Sequence, residues 1–375
     1  MDAVRSTVGK NVKVLAVVKA NAYGHGMPRI AKELVNYGVD YLGVARVGEG
    51  LELRKAGITH PILLFELTPI GQVERAIAES FELTVSSVEG TEMLNFAAER
   101  LRRKARVHVE VDTGMGRFGI QHQEAAGCIE SIARMKWIEL VGVYSHFATS
   151  EEPDQSFARQ QLDRFNDVLG TIHRRGIDIP IRHMANSGAV ISLNNSYFDM
   201  VRTGIMLYGI PPRRNMQTGA PLKPVMSLVS KVAFIKTVEA NTNISYSSRY
   251  RATARTRIAT IPIGYGDGYG RSLTNKAEVL INGKRSPVVG SICMDQIMAD
   301  IGLAQDVSEG DDVTVMGTDG EESISCWDIA EKLGTIPHDF LSLITSRVQR
   351  VFADSIQVDD KTFPQLRTYS GALEP

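Results

Sequence analysis

Apolar positions along the first 210 residues follow two alternating periods. Short runs rich in Val, Ile and Leu recur at Val12–Val18, Tyr41–Ala45, Pro61–Phe65, Glu82–Ser86, Val107–Val111, Glu139–Tyr144, Ile179–His183 and Phe198–Arg202. Between them, Met27–Tyr37, Gly48–Lys55, Gly71–Glu79, Val88–Arg103 and Phe157–Arg174 carry the spacing of amphipathic helices. Near-continuous apolar strands separated by helices argue for a parallel sheet with βα crossovers. Eight such strands predict a closed (β/α)8 TIM-like barrel rather than an open doubly wound sheet. No Gly-x-Gly-x-x-Gly follows any of them, which weakens a dinucleotide-binding alternative.

After about Pro221 the pattern changes. Ser227–Val238, Arg257–Ile263, Ala277–Ile281, Ser286–Cys293, Ile297–Ile301 and Asp312–Met316 read as strands joined by turns such as Asn282-Gly283. One helix pattern, Cys326–Leu333, interrupts them before a final strand near Ser346–Phe352. The predicted class is therefore α/β plus β: a barrel over residues 1–221 and a mostly β domain over 222–375.

Composition narrows the function. Hydrophobic residues make up 43% and charged residues 23%, ordinary values for a globular protein. A net charge of −1 leaves no electrostatic footprint for nucleic acid or an anionic membrane. The one basic run, Arg100–Arg106, ends a helical stretch, where cations suit the helix C-terminus. Cys128, Cys293 and Cys326 are few, odd in number and widely spaced. They build neither a disulfide framework nor a metal site, and point to a reducing compartment, the cytoplasm. No stretch reaches the roughly 18 apolar residues of a membrane span, and no signal-peptide core opens the chain.

The chemistry collects at strand ends. Val17–Gly26 ends an apolar strand in Lys19, with Tyr23 following in a glycine-bounded turn. A desolvated lysine loses its proton cheaply and can then attack a carbonyl or form a Schiff base; by itself, a lysine that ends a strand and points into water is the plainer reading. Asp112–Arg117 follows the fifth strand and His146 the sixth. His183 and Asn186-Ser187-Gly188 follow the seventh, and Arg202-Thr203-Gly204-Ile205 closes the eighth. Barrel active sites form on that rim, and the last two loops are its usual phosphate cradle. A phosphate facing a Schiff-base-competent lysine suggests pyridoxal phosphate.

These motifs resemble those of the pyridoxal-phosphate-dependent alanine racemases, from about Val14 to the C-terminus. Val17–Gly26 is similar to that family's cofactor-lysine motif, Asp112–Gly119 to its Thr-Gly-Met-Gly-Arg segment, and His183–Ser187 to its His-x-Ala-Asn-Ser segment. Arg202–Gly209, Ser245-Tyr246, Gly264–Gly268 and Cys293-Met294-Asp295 also have counterparts. The resemblance implies an amino-acid racemase acting on alanine. D-Alanine would serve peptidoglycan precursors or pass to catabolism. Lys19 would hold the cofactor and act on one face of the α-carbon. Tyr246, from a second subunit, would act on the other. Tyr23, His146, Ser187, Arg202, Gly204 and Ile205 would complete the cofactor site, with His183 supporting Arg202. Arg117, Met294 and Tyr265 would bind substrate or line its approach, supported by Asp295. Because Tyr246, Tyr265 and Met294 come from the partner chain in this family, an obligate homodimer is implied. An arginine facing the pyridine nitrogen gives a weaker electron sink than a carboxylate would, which disfavours a decarboxylase.

Four departures qualify the transfer. Glu110 stands where the family commonly has a carbamylated lysine, and the expectation is that it pairs with Arg117. Ser346 stands where many members have tyrosine, which opens serine or broader specificity as the alternative. Ser247 replaces a usual glycine and would be strained if that turn needs positive φ. Only a helix-like Asp2–Val8 precedes the first strand, where the family begins with a strand that crosses into the β domain; lower stability is the expectation. A non-catalytic cofactor carrier on the same barrel would lack the β domain that carries Tyr246 and Met294.

Overall fold

The computed structural model describes residues 1–352; the end of the second predicted domain, 353–375, lies outside the described residues. The chain divides into two compact units, Met1–Lys223 and Pro224–Pro375. In the first, eight parallel strands close on themselves: β1 (Lys13–Val17), β2 (Tyr41–Val44), β3 (Ile62–Leu64), β4 (Glu82–Val85), β5 (Ala105–Asp112), β6 (Ile138–Tyr144), β7 (Ile181–His183) and β8 (Met200–Thr203). Each pairs with the next, and β8 returns to β1 with Leu15 opposite Arg202.

Amphipathic helices fill the crossovers. The longest, Ser156–Arg174, buries Ala158, Leu162, Phe165, Val168 and Ile172 at helical spacing. His122–Ala133, a helix absent from the predicted set, does the same with Ala125, Ala126, Ile129 and Ile132.

The barrel interior is not the stack of aliphatic layers common in such folds. In β5, Val107, Val109 and Val111 alternate with His108, Glu110 and Asp112, and all six are buried. Hydrogen bonds from His108 to His183 and from Thr84 to Tyr144 pass between strands that are not neighbours, so these side chains lie inside the barrel. Room for the His108 ring comes from Gly142 on β6. A Cβ there would lie 2.4 Å from His108 Nδ1 and 2.7 Å from the Ile181 carbonyl oxygen. Neither neighbour is free to move, since the ring is hydrogen-bonded on both nitrogens. Gly142→Ala is therefore expected to destabilise the protein by about 1–3 kcal/mol, read as a lower denaturant midpoint at unchanged slope.

The second unit is mostly β. Leu228–Lys231, Asp312–Asp319, Glu278–Ile281 and Lys284–Pro287 form one antiparallel sheet, with Glu322–Ile324 on Asp312–Asp319. Phe234–Val238, Thr256–Ile261 and Ile297–Asp300 form another, and Asn243–Ile244 with Tyr250–Arg251 make a short ribbon. Helix Cys326–Leu333 is capped by Ser325 and Asp328 in a reciprocal capping box.

Three sequence expectations need correction here. Ser227–Val238 is two strands in two sheets, because the chain switches partners at Val232–Ala233, whose N–H groups bond Asp311 and Thr260. The strand expected over Ser286–Cys293 ends at Pro287, since Gly290 adopts φ 76° and its N–H goes to the Asn275 side chain. Ser346–Phe352 forms no strand. Helix Pro337–Leu343 precedes it, and the Arg350 guanidinium folds the segment back by bonding the carbonyls of Ile344, Thr345 and Val348.

Candidate active site

Lys19 opens an unusual turn at the C-terminal end of β1. Ala20, Asn21, Ala22 and Tyr23 all have φ between 50° and 55°, one turn of left-handed helix ending at Gly24 and Gly26. For residues with a Cβ this conformation costs about 1–2 kcal/mol each, so the surroundings must enforce it. Glu49 accepts the Ala20 N–H at 2.7 Å, and the Asn21 side chain accepts that of Met27 at 2.8 Å. The result sets Lys19 Nζ 6.0 Å from the centre of the Phe65 ring. Burial lowers its pKa, as does the positive charge of Arg117, against the opposing pull of Glu49 and Glu66.

Arg202, from β8, is the hub of the rim. Its Nη1 donates to His183 Nδ1 at 2.8 Å. Nη2 donates to His146 Nδ1 at 2.9 Å and to the carbonyls of Ser145 and Met184. Its guanidinium carbon lies 5.0 Å from the Tyr144 ring centre, and that ring stacks on His183. Burial brings the Arg202 pKa down to about 10, which still leaves it a cation at neutral pH. His146 and His183 are held well below the usual histidine range, first by burial and then by Arg202, so both rings are neutral. His146 is fixed from behind by Gln161, which bonds its carbonyl and the Ala148 N–H.

Facing this hub is a small cradle. The N–H groups of Gly204 and Met206 donate to Ser187 Oγ at 3.0 and 3.4 Å. Tyr23 closes the other side: a Cβ on Gly204 would lie 2.6 Å from its hydroxyl. Burial raises the Tyr23 pKa well above the phenol range, so it remains a donor. Gly188 is equally constrained, because a Cβ there would meet Ser150 Oγ at 2.6 Å.

Asp112 shapes the loop after β5 by accepting the N–H groups of Gly114 and Gly116, which adopt φ 138° and 68°. Arg117 stands exposed on that loop. The direct pair expected between Glu110 and Arg117 is not formed. Glu110 Oε2 instead accepts the Tyr144 hydroxyl at 3.1 Å. Burial raises the Glu110 pKa, while that hydrogen bond and the charges of Arg117 and Arg202 pull it down.

In the second unit, Tyr246 sits in a turn whose Ser245, Ser247 and Ser248 all have positive φ, at 64°, 59° and 46°. Ser247 thus occupies the left-handed region that the usual glycine would adopt without strain. Ser291 Oγ donates to the Tyr246 carbonyl at 2.7 Å and fixes the turn. The Tyr246 side chain is 68% exposed, Met294 52% and Tyr265 42%. Backbone bonds from Tyr265 to Cys293 and from Gly266 to Met294 tie the last two together, and Asp295 pairs with Arg347 at 2.7 Å.

The sequence matches the model of the alanine racemase N-terminal domain over residues 1–212 and that of the C-terminal domain over 225–352. The chain belongs to the alanine racemase family. Among curated members it is 45% identical to alanine racemase 2 of Caldanaerobacter subterraneus subsp. tengcongensis, covering 93% of this chain and 90% of that one. The alanine racemase of Geobacter sulfurreducens is 42% identical over 94% of this chain and 93% of its own. Two solved alanine racemases are similar in structure. That of Clostridium difficile 630 has a TM-score of 0.88 at 39% identity, covering 92% of this chain and 90% of that one. That of Bacillus anthracis, with bound L-Ala-P, has a TM-score of 0.86 at 37% identity, covering 92% of each chain.

Several residues of this candidate site carry no motif. Glu49 enforces the lysine turn, Phe65 flanks the amine, and Tyr144 joins Arg202 to Glu110. Only β5 gave a signal, since polar residues at every second position of an otherwise buried strand mark a polar interior face.

Proposed function

We propose that this pyridoxal-phosphate-dependent racemase interconverts L- and D-alanine with Lys19 and Tyr246 acting on opposite faces of the substrate α-carbon. The observation that carries this reading is the half-buried, pKa-lowered Lys19 on the same barrel rim as neutral His146 and cationic Arg202. The residues fit the cofactor: Lys19 offers an amine to an aldehyde, and Tyr23, Ser187 and the backbone at Gly204 and Ile205 offer a cradle that a side chain on Gly204 would fill. When bound, pyridoxal phosphate withdraws electrons from the substrate α-carbon.

The chain's own groups do the rest. Lys19, whose lowered pKa eases loss of the ammonium proton, takes or returns the proton on one side. Arg202 would face the pyridine ring and, as a guanidinium, would donate only a hydrogen bond and keep its own proton. That limits electron withdrawal and favours racemisation over decarboxylation. Arg117 and Met294 hold the substrate carboxylate, Tyr265 lines the approach, and Asp295 with Arg347 braces the Met294 segment. Tyr246 supplies the opposite face from a partner chain, so the working unit is a homodimer. Its exposure within its own unit leaves its phenol available for that role. Three free cysteines support a cytoplasmic setting.

Incubation with L-alanine in deuterated water is expected to give loss of optical rotation with α-deuterium uptake. Release of carbon dioxide would overturn the racemase reading, and absence of any turnover by the cofactor-loaded protein would favour the carrier. Mixing separately inactive Lys19→Ala and Tyr246→Phe proteins tests the shared site. Random exchange of subunits should restore activity at about a quarter of the sites, and no recovery after verified exchange would place both groups in one chain.

A further inference from the structure

An unbroken run of hydrogen bonds crosses the barrel interior from the start of β4 to β8. Arg202 Nη1 lies 2.8 Å from His183 Nδ1, His183 Nε2 lies 2.9 Å from His108 Nδ1, and His108 Nε2 lies 2.7 Å from Glu82 Oε2. Glu82, His108 and His183 are fully buried and Arg202 nearly so. No motif or comparison gives Glu82 or His108 a role.

Chemistry allows the run only one polarity. A guanidinium can only donate, so His183 Nδ1 must accept and its proton sits on Nε2. That proton faces His108 Nδ1, which must then also accept, leaving the His108 proton on Nε2 to meet the carboxylate. Turning either neutral ring over would set two protons or two lone pairs face to face. The last acceptor is anchored in turn: Glu82 Oε1 lies 3.0 Å from Arg106 Nη2, and Arg106 also reaches Glu139 at 3.4 Å. Tyr41 interacts with the same carboxylate; burial first, and then that negative charge, push the phenol's pKa up to about 12.

We propose that Glu82 and His108 are positioning residues for Arg202, acting through His183 to fix its tautomer and to set a compensating negative charge at the far end of the run. Geometry gives three reasons. Each link is of normal length, the chain ends on a carboxylate rather than on water, and Gly142 leaves the space that the His108 ring fills. An aliphatic residue at 108 would leave the His183 Nε2 proton buried without an acceptor. The inference deepens the proposed role of Arg202 toward the cofactor and rests on that reading only for its effect on rate.

Nitrogen-15 NMR of the histidine-labelled holoenzyme tests it without any substitution. At neutral pH both rings should show a protonated Nε2 and a bare Nδ1; an Nδ1–H tautomer or an imidazolium at either ring overturns the proposal. Glu82→Gln keeps the volume and removes the charge. It should shift the His183 Nε2–H resonance and lower kcat about ten-fold, with KM nearly unchanged. A lower melting temperature with the resonance and kcat both intact would reduce Glu82 to a structural filler and overturn the proposal. Should the wild-type protein fail to racemise alanine, the ring assignments would still decide the relay, so the two failures are distinguishable.

Discussion

Lys19→Ala should abolish racemisation and cofactor retention together. The side chain is proposed to supply both the covalent anchor and one of the two proton-handling groups, so the loss reaches about 10⁴-fold or more in kcat/KM. The local fold should survive, because the left-handed turn is held by Glu49 on the Ala20 N–H and by the Asn21 side chain on the Met27 N–H, and neither bond uses the side chain at position 19. Gel filtration followed by absorbance of the retained cofactor, beside an alanine assay, checks both halves. The lowered pKa adds a pH signature. A free lysine titrates near about 10.4, so a depressed value extends the neutral, reactive amine to lower pH. Rebinding of cofactor to the wild-type apoprotein should therefore lose rate only when pH falls below that depressed value. A rate that fell away from pH ~10 downward would show an ordinary, solvated lysine.

Arg202→Met is expected to have the next largest effect, this time on stability as well as rate. The guanidinium makes four hydrogen bonds with two histidines and two carbonyls, all within the barrel rim. A methionine covers only the aliphatic part of that space and satisfies none of them. Leaving several buried neutral acceptors unpaired at about 1–3 kcal/mol each puts the total cost at about 3–5 kcal/mol. For a unit of this size that corresponds to a fall of roughly 10 °C in Tm. His146 and His183 should respond too. The Arg202 cation contributes to the depression of both rings, so its removal should raise their pKa values while burial still holds them down. Histidine titration by NMR in the folded variant checks this. A melting temperature and a histidine titration both unchanged would show that the four contacts carry little energy.

Much of the first unit was legible because its periodicities are strong. Eight apolar runs match eight observed strands to within about two residues at each end, the usual uncertainty of element boundaries. The second unit was harder. Antiparallel strands end where a partner ends, and neither the switch of sheets at Val232 nor the stop at Gly290 leaves a hydrophobic signature. The segment after Ser346 has apolar residues that suggest a strand, but Arg350 folds it back onto the carbonyls of Ile344, Thr345 and Val348, a contact that no hydrophobic pattern records.

At the rim, motif order alone singled out Lys19, Tyr23, His146, His183, Ser187 and Arg202, because each follows a strand whose end could be located. Hydrophobic pattern and motif spacing are local properties of the chain, so residue order determined the barrel, the change to β structure and the family. Tertiary structure decided what no local window contains: that Glu110 meets Tyr144 rather than Arg117, that Glu49 bends the lysine turn left-handed, and that Glu82 connects to Arg202 across the barrel. Those outcomes depend on which buried donor finds which acceptor once the strands have closed, a choice imposed by the cost of leaving a polar group unpaired away from water.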